Sequence, residues 1–349
     1  MIYLINQEWT NTSNNHAGMK YLCNKLQELH PEIYKSICIE DFYKEIKNNK
    51  ISRLLQQYVV KYKYKKETER IFEHLKKSYR KGDKIILMEY FEKLYPQNLL
   101  AQKLKSFNIN IPIYGLVHLV PSKLNNSFSD IELYEWSKYI DKFITLGSSL
   151  TKYITNKGIA SSRIITLFHY VDTEYYAPTN KNKKYQTPLK VIAMGNQMRN
   201  TKLLHHVISQ NKNVNFIVCQ GTVNLSSHFI DCPNVKLIPF VSEEKLKEYM
   251  NNSDVSLNVM TDTIGSNVIT TSMAMGLAMI CSDVGSIRDY CDETNTIFCN
   301  NNDIETWSNA INTLVKNPAI INELQSASIK KSKYLSIPEF HNAFIKEIL

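Results

Sequence analysis

Short apolar runs alternate along most of the chain with stretches in which apolar positions recur every three or four residues. Ile2–Ile5 reads as a strand and His16–Leu29, apolar or small at 19, 22, 23 and 26, as a helix. Ile33–Ile39 is the next strand. Gly82 leads into a buried strand, Asp83–Met88, followed by a helix over Leu94–Phe107, a strand over Ile111–Val120 and a helix over Ile131–Ile140. Phe143–Leu146 is a strand ending at Gly147, where Ser148 and Ser149 are placed to cap a helix. The polar, aperiodic run Ala177–Lys184 reads as a linker. Beyond it the alternation restarts with strands Leu189–Met194, Val214–Cys219, Val235–Phe240, Val255–Met260 and Ala278–Ser282. The intervening helices are Lys202–Ser209, Glu243–Asn251, Asn267–Met275 and a short one over Ser286–Cys291. The remainder is helical, with Pro318 and Pro338 at helix starts.

Alternation of this kind builds parallel sheets covered on both faces. The expected fold class is α/β, with two facing Rossmann-like, doubly wound domains and a helical tail. Their bounds are set at residues 1–178 and 186–334, and residues 335–349 form a last helix expected to pack back on the first domain. Ligands in such sheets bind beyond the carboxyl ends of the strands, so the cleft between the domains is the expected site.

Composition narrows the function classes. Apolar residues at 43% and charged residues at 21% are those of a folded globular chain, which excludes disorder as the main state. No apolar run approaches the ~18–20 residues of a membrane span. The start, Met1–Ile5 followed by Asn6, lacks the basic end and long apolar core of a secretory signal, which points to the cytoplasm. Seven cysteines without a CxxC pair read as buried thiols rather than disulfides or metal ligands. The formal charge of +9 favours anionic partners without choosing among phosphates, nucleic acid and an acidic membrane surface.

Four stretches can carry chemistry. In Ala193–Leu204 a strand ends at Gly195, a polar loop with Asn196 follows, and Arg199 and Lys202 converge where a helix opens. Backbone N–H groups and two cations suit a diphosphate, and an ordinary strand–helix loop with solvated charges is the alternative. Asp262–Gly276 is a second strand–helix connection, in which Gly265, Ser266 and Asn267 allow close approach to the backbone. Hydroxyls at Thr270 and Thr271 are candidates for a ribose or phosphate, while the apolar half of that helix reads as packing. His118 sits near the end of an apolar strand, either a site residue or a structural histidine. The basic segment from Lys61 to Lys81 carries Phe72, Leu75 and Tyr79 at helical spacing. It either packs its apolar stripe on the domain or lies on an anionic bilayer.

These residues together resemble the retaining GT-B glycosyltransferases of the group 1 kind, glycosyltransferase family 4. Phe168–Pro178, with Val171-Asp172, is similar to the link between the two domains of that family, and Val235–Leu246 to the strand and helix that cradle the nucleotide base. Met273–Asp289 is the sharpest match, and Asn14–Gly18 stands where the family has a glycine-rich turn beside the donor. The resemblance implies that Arg199 and Lys202 hold the donor diphosphate and neutralise charge developing on the leaving group. It further implies His118 near the donor sugar, Pro239 and Phe240 bordering the base, Gly18 on the donor side, and Asn14 and His16 on the acceptor side. Thr263 and Thr271 stand where the family carries two glutamates, with Asp262 one residue away from the first.

The resulting expectation is a retaining hexosyltransferase that takes a nucleotide-diphosphate sugar and needs no cofactor or metal. Its acceptor would be a glycan, a lipid-linked intermediate of surface polysaccharide such as O-antigen or capsule, with residues 61–81 as a peripheral contact to the inner membrane face. A nucleotide-sugar 2-epimerase of the same fold is the rival enzyme. A basic nucleic-acid-binding protein is the rival outside enzymes, and the sequence carries no nucleic-acid motif for it.

Overall fold

The computed structural model describes residues 1–9, 15–42, 50–93, 97–179 and 187–349, with the backbone alone for 50–55. Asn14, the first three residues of the helix expected from Leu94 and most of the expected linker lie outside the described residues. The chain divides into two compact units, Met1–Leu167 and Phe168–Leu349.

Among the described residues, the first unit runs β1 (Ile2–Gln7), α1 (Met19–Leu29), β2 (Tyr34–Ile39), α2 (Lys50–Ser78), β3 (Lys84–Tyr90) and α3 (Gln97–Phe107). It continues with β4 (Ile113–Val117), α4 (Pro121–Ser127), α5 (Asp130–Ser137), β5 (Lys142–Thr145), α6 (Ser148–Asn156) and β6 (Ile164–Thr166). Its six strands form one parallel sheet in the order β2-β1-β3-β4-β5-β6. Every residue of β1 and of β4 is buried, as a sheet covered on both faces requires. Strand order reverses between β1 and β3, which makes that pair the topological switch point.

The second unit runs β7 (Lys190–Ala193), α7 (Thr201–Gln210), β8 (Asn215–Gly221), β9 (Val235–Pro239), α8 (Glu243–Asn251) and β10 (Val255–Asn258). There follow α9 (Asn267–Ala274), β11 (Ala278–Ser282), α10 (Ile287–Tyr290), β12 (Thr296–Cys299), α11 (Ile304–Lys316), α12 (Pro318–Ser332) and α13 (Ile337–Ile348). This sheet is also parallel, in the order β12-β11-β10-β7-β8-β9, with its switch point between β7 and β10. Val191, Leu257 and Ile280 from the strands pack with Leu204 and Val207 of α7 and Trp307 and Ile311 of α11 in one buried cluster. Each such side chain contributes about 1.5–3 kcal/mol on removal from water. Pro318 opens α12 and Pro338 lies in the first turn of α13, where a missing N–H costs nothing.

Several expected boundaries move, for local reasons. Helix α6 is capped by Gly147 without a side-chain hydrogen bond, so Ser148 and Ser149 are its first helical residues and not its cap. The strand expected to reach Val120 stops at Val117, because Pro121 opens α4. Edge strands β6 and β12 were not foreseen from the apolar pattern. The basic segment lies mostly within α2, whose buried positions are Val60, Tyr64, Thr68, Ile71 and Leu75. That stripe runs along Ile71 and Leu75, while Phe72 is only half-buried and Tyr79 falls beyond the helix. Lys61, Lys65, Lys66, Lys76 and Lys77 are exposed. All seven cysteines are free and six are buried. No described helix is long and apolar enough to cross a membrane.

Candidate active site

The second unit's switch point is built by two loops that leave β7 and β10 and are tied to each other. Asn200 N donates to Val259 O at 3.0 Å and Thr261 N to Met198 O at 2.8 Å, so Arg199 and Met260 form an antiparallel bridge. Gly195 is in the left-handed region at φ +72°, and a β-carbon there would stand 2.9 Å from Cγ2 of Val268. Only glycine lets the first loop close onto the start of α9. Asn200 then caps α7, its Oδ1 accepting from Leu203 N at 3.2 Å.

Arg199 is the side chain this arrangement isolates. Its Nη2 donates to the carbonyl of Cys219 at 3.1 Å and, at 3.4 Å, to that of Ala193, the last residue of β7. Its Nη1 is buried with no hydrogen-bond partner. Desolvation lowers the guanidinium from 12.5 to about 10, so it remains a cation at neutral pH. No acidic side chain pairs with it among the described residues. A half-buried cation held only by carbonyls is costly unless an anion completes it. Lys202 stands exposed in the first turn of α7, where the helix dipole also favours negative charge.

The connection into α9 is set by two more close contacts. A β-carbon on Gly265, at φ +81°, would fall 2.1 Å from the ring of Tyr290. The Tyr290 hydroxyl donates to Ile264 O at 3.1 Å and accepts from His169 N at 2.8 Å, so this tyrosine braces the loop. Nothing in the linear sequence marks Tyr290, because its partners lie 26 and 121 residues away. Thr263 holds the other side: its carbonyl accepts from Ser286 N at 2.7 Å and its hydroxyl from Gly265 N at 3.2 Å. Asp262 is half-buried beside it. Ser266 and Asn267 lie at the mouth of α9, half-buried, and the Ser266 hydroxyl has no partner.

The two α9 threonines expected at ribose or phosphate are placed otherwise. Thr270 is 0% exposed and its hydroxyl donates to Ser266 O and Tyr170 O, both at 3.3 Å. Thr271 is 6% exposed and its hydroxyl donates to Asn267 O. Both hydroxyls donate to backbone carbonyls, the usual habit of threonine inside a helix, which leaves their oxygens only as acceptors. Pro239 and Phe240 are exposed at the carboxyl end of β9, Phe240 at 57%.

In the first unit, His118 immediately follows β4 and is half-buried. Desolvation lowers its imidazole from 6.5 to about 4, so the ring is neutral at physiological pH. Gly18 is the N-cap of α1, and the half-buried His16 packs its ring against Tyr21 at 4.8 Å. Among the described residues one group has the composition of a metal site, His205, Asp231 and Cys232. The 2.9 Å pair between His205 and Asp231 accounts for it without an ion.

Residues 190–317 match the family model described as Glycosyl transferases group 1, a span that holds Gly195, Arg199, Lys202 and the whole α9 connection. That stretch of the second unit carries the pattern of group 1 glycosyltransferases. The GT-B architecture extends over nearly the whole chain in solved structures of glycosyltransferases. Sucrose-phosphate synthase from Thermosynechococcus elongatus aligns with a TM-score of 0.76 at 12% identity, covering 99% of this chain and 98% of its own. Anabaena HepE, in its complex with UDP-glucose, aligns at 0.72 and 12% identity over 99% of both chains. The lipopolysaccharide outer core galactosyltransferase WaaB aligns at 0.68 and 13% identity, covering 99% of this chain and all of its own. At such identities the likeness is one of fold. No curated protein matches the chain in sequence.

Proposed function

We propose that the protein is a retaining glycosyltransferase moving a hexose-type sugar from a nucleoside-diphosphate sugar to a glycan acceptor. The observation that carries this reading is Arg199, a half-buried cation at the switch point with one buried nitrogen partnerless and, among the described residues, no carboxylate beside it. A diphosphate supplies the missing acceptors. As the bond to the sugar breaks, charge accumulates on that diphosphate, and Arg199 with Lys202 stabilises it more than it does the ground state. Gly195, Asn196, Gly265, Ser266 and Asn267 offer a close-approach surface for the same group, with Asp262 toward the sugar and Pro239 and Phe240 beside the base. Gly18 and the neutral His118 serve the donor sugar as hydrogen-bonding neighbours, and His16 the acceptor. That HepE holds UDP-glucose supports a uridine donor.

A lipid-linked acceptor of surface polysaccharide synthesis fits the exposed lysines of α2 and the exposed Tyr58 and Tyr62 on the same helix, which suit an anionic membrane face. The test is a melting screen against UDP, GDP, CMP and dTDP, since a ligand stabilises only the state that binds it. One nucleoside diphosphate should raise the melting temperature in the wild type and not in Arg199→Ala. A rise of equal size in both removes the assignment. Incubation with UDP-GlcNAc alone, followed by a search for its epimer, separates transfer from epimerisation.

A further inference from the structure

The first unit has a switch point of its own, and it is furnished with different chemistry. Strand β3 ends with Glu89 and Tyr90, next to the end of β1 at Gln7. Between the pairs Leu87–Gly115 and Tyr90–Val117, the two residues Met88 and Glu89 face the single residue Leu116 of β4. Such a bulge re-aims a side chain at the end of a strand. The next residue, Phe91, has a left-handed backbone at φ +60° and is held there by ring contacts with Phe143 at 5.4 Å and Phe128 at 5.8 Å. Strain of this kind persists only where packing over-determines it.

Glu89 is 5% exposed and makes no salt bridge among the described residues. Its Oε1 accepts from the Trp9 indole at 2.6 Å, a bond that spans the switch point from the chain after β1 to the end of β3. Its Oε2 is buried without a partner. The Gln97 carbonyl oxygen accepts from Glu89 N at 3.2 Å, which leaves Gln97 Nε2 as a buried, partnerless donor. Gln7 anchors its Nε2 on Glu40 O at 3.1 Å and leaves Oε1 as a buried, partnerless acceptor. Three buried polar atoms, from three elements, are thus unsatisfied at one sheet end, where native proteins leave few.

We propose that Glu89, Gln97 and Gln7 form a hydroxyl-binding subsite at the carboxyl end of the first sheet, and that it takes the pyranose of the acceptor. The assignment to an acceptor rests on the glycosyl-transfer reading above; the hydroxyl chemistry does not. One free donor, one free acceptor and one carboxyl group match alcohol groups, each of which both donates and accepts. A metal cation would find too few oxygens, and a phosphate no cationic side chain among these three. Burial raises the Glu89 carboxyl from 4.5 to about 8, so at neutral pH it carries the O–H that a sugar oxygen can accept.

The experiment measures saturation-transfer NMR signals from methyl glucoside, methyl galactoside and methyl N-acetylglucosaminide on the nucleotide-free protein. It compares the wild type with Glu89→Gln, Glu89→Met and Gln97→Met, and melting curves identify any variant that does not fold. At least one pyranoside should bind the wild type, and its affinity should fall about tenfold or more in Glu89→Met and Gln97→Met, the loss of one buried hydrogen bond. Glu89→Gln, which keeps a donor and an acceptor, should hold affinity within about threefold. Equal signals in the wild type and both Met variants, or none in the wild type, overturn the subsite. UDP melting shifts are read separately: their absence, beside pyranoside binding that follows the pattern above, defeats the donor reading and leaves the subsite standing.

Discussion

The two sheets reverse strand order at corresponding places and furnish those places with opposite chemistry. Beside β7 and β10 stands the guanidinium of Arg199, cationic, gripping two carbonyls and paired with no acidic side chain among the described residues. Beside β1 and β3 stands the carboxyl of Glu89, neutral at pH 7, gripping an indole. Each group keeps one buried polar atom unsatisfied. Under the two assignments proposed above, topology sets where a ligand goes, while a single desolvated side chain sets which kind. A charged seat suits a diphosphate and a neutral one suits sugar hydroxyls.

The comparison breaks most sharply at Arg199. Arg199→Ala should lower kcat/KM for nucleotide-sugar turnover by about 10²–10³ with the melting temperature nearly unchanged, as removal of a preorganised charge-stabilising group does elsewhere. Steady-state kinetics check it, and a loss below tenfold would show that the guanidinium does not face the reacting diphosphate.

Gly265→Ala comes next. Its β-carbon meets the Tyr290 ring on a left-handed backbone, so about 2–4 kcal/mol of stability should be lost. Combining it with Tyr290→Ala should cost less than the sum of the two single changes. Strict additivity in denaturant unfolding would mean that the ring does not set the loop.

At the first switch point the expectation concerns pH. Glu89 keeps its proton up to about pH 8 when folded and loses it near 4.5 when unfolded. Between those values the folded state binds the extra proton, so stability falls as pH rises through that window and levels off above it. Glu89→Gln should remove this slope and stabilise the protein at pH 8 by a few kcal/mol, about 1.4 for each pH unit at most. Parallel stability–pH profiles for the two proteins would show that Glu89 is ionised in the fold. The smallest effect belongs to Lys202→Ala, about tenfold in kcat/KM, because an exposed ammonium is screened by water.

How much of this was legible in the sequence differs between the two places. In the second unit, helix Glu243–Asn251 and strand Ala278–Ser282 keep the bounds that apolar spacing gives them. Arg199 and Gly265 were visible as a cation and a glycine in strand–helix loops. The partners of Thr270 and Thr271 did not show in the sequence, because a hydroxyl in a helix donates to the carbonyl four residues back. Glu89 was invisible: it follows the apolar run Ile85–Met88 as one acid, and its indole partner Trp9 lies 80 residues away. Strand β6 has three residues, too few for any period to register.

The most direct test of the diphosphate seat is calorimetric titration of the wild type and Arg199→Ala with UDP and with uridine. The account predicts that UDP binds the wild type and loses about thirtyfold or more in the variant, the worth of a charge-assisted hydrogen bond, while uridine responds equally in both. Equal UDP affinity in the two proteins would contradict it.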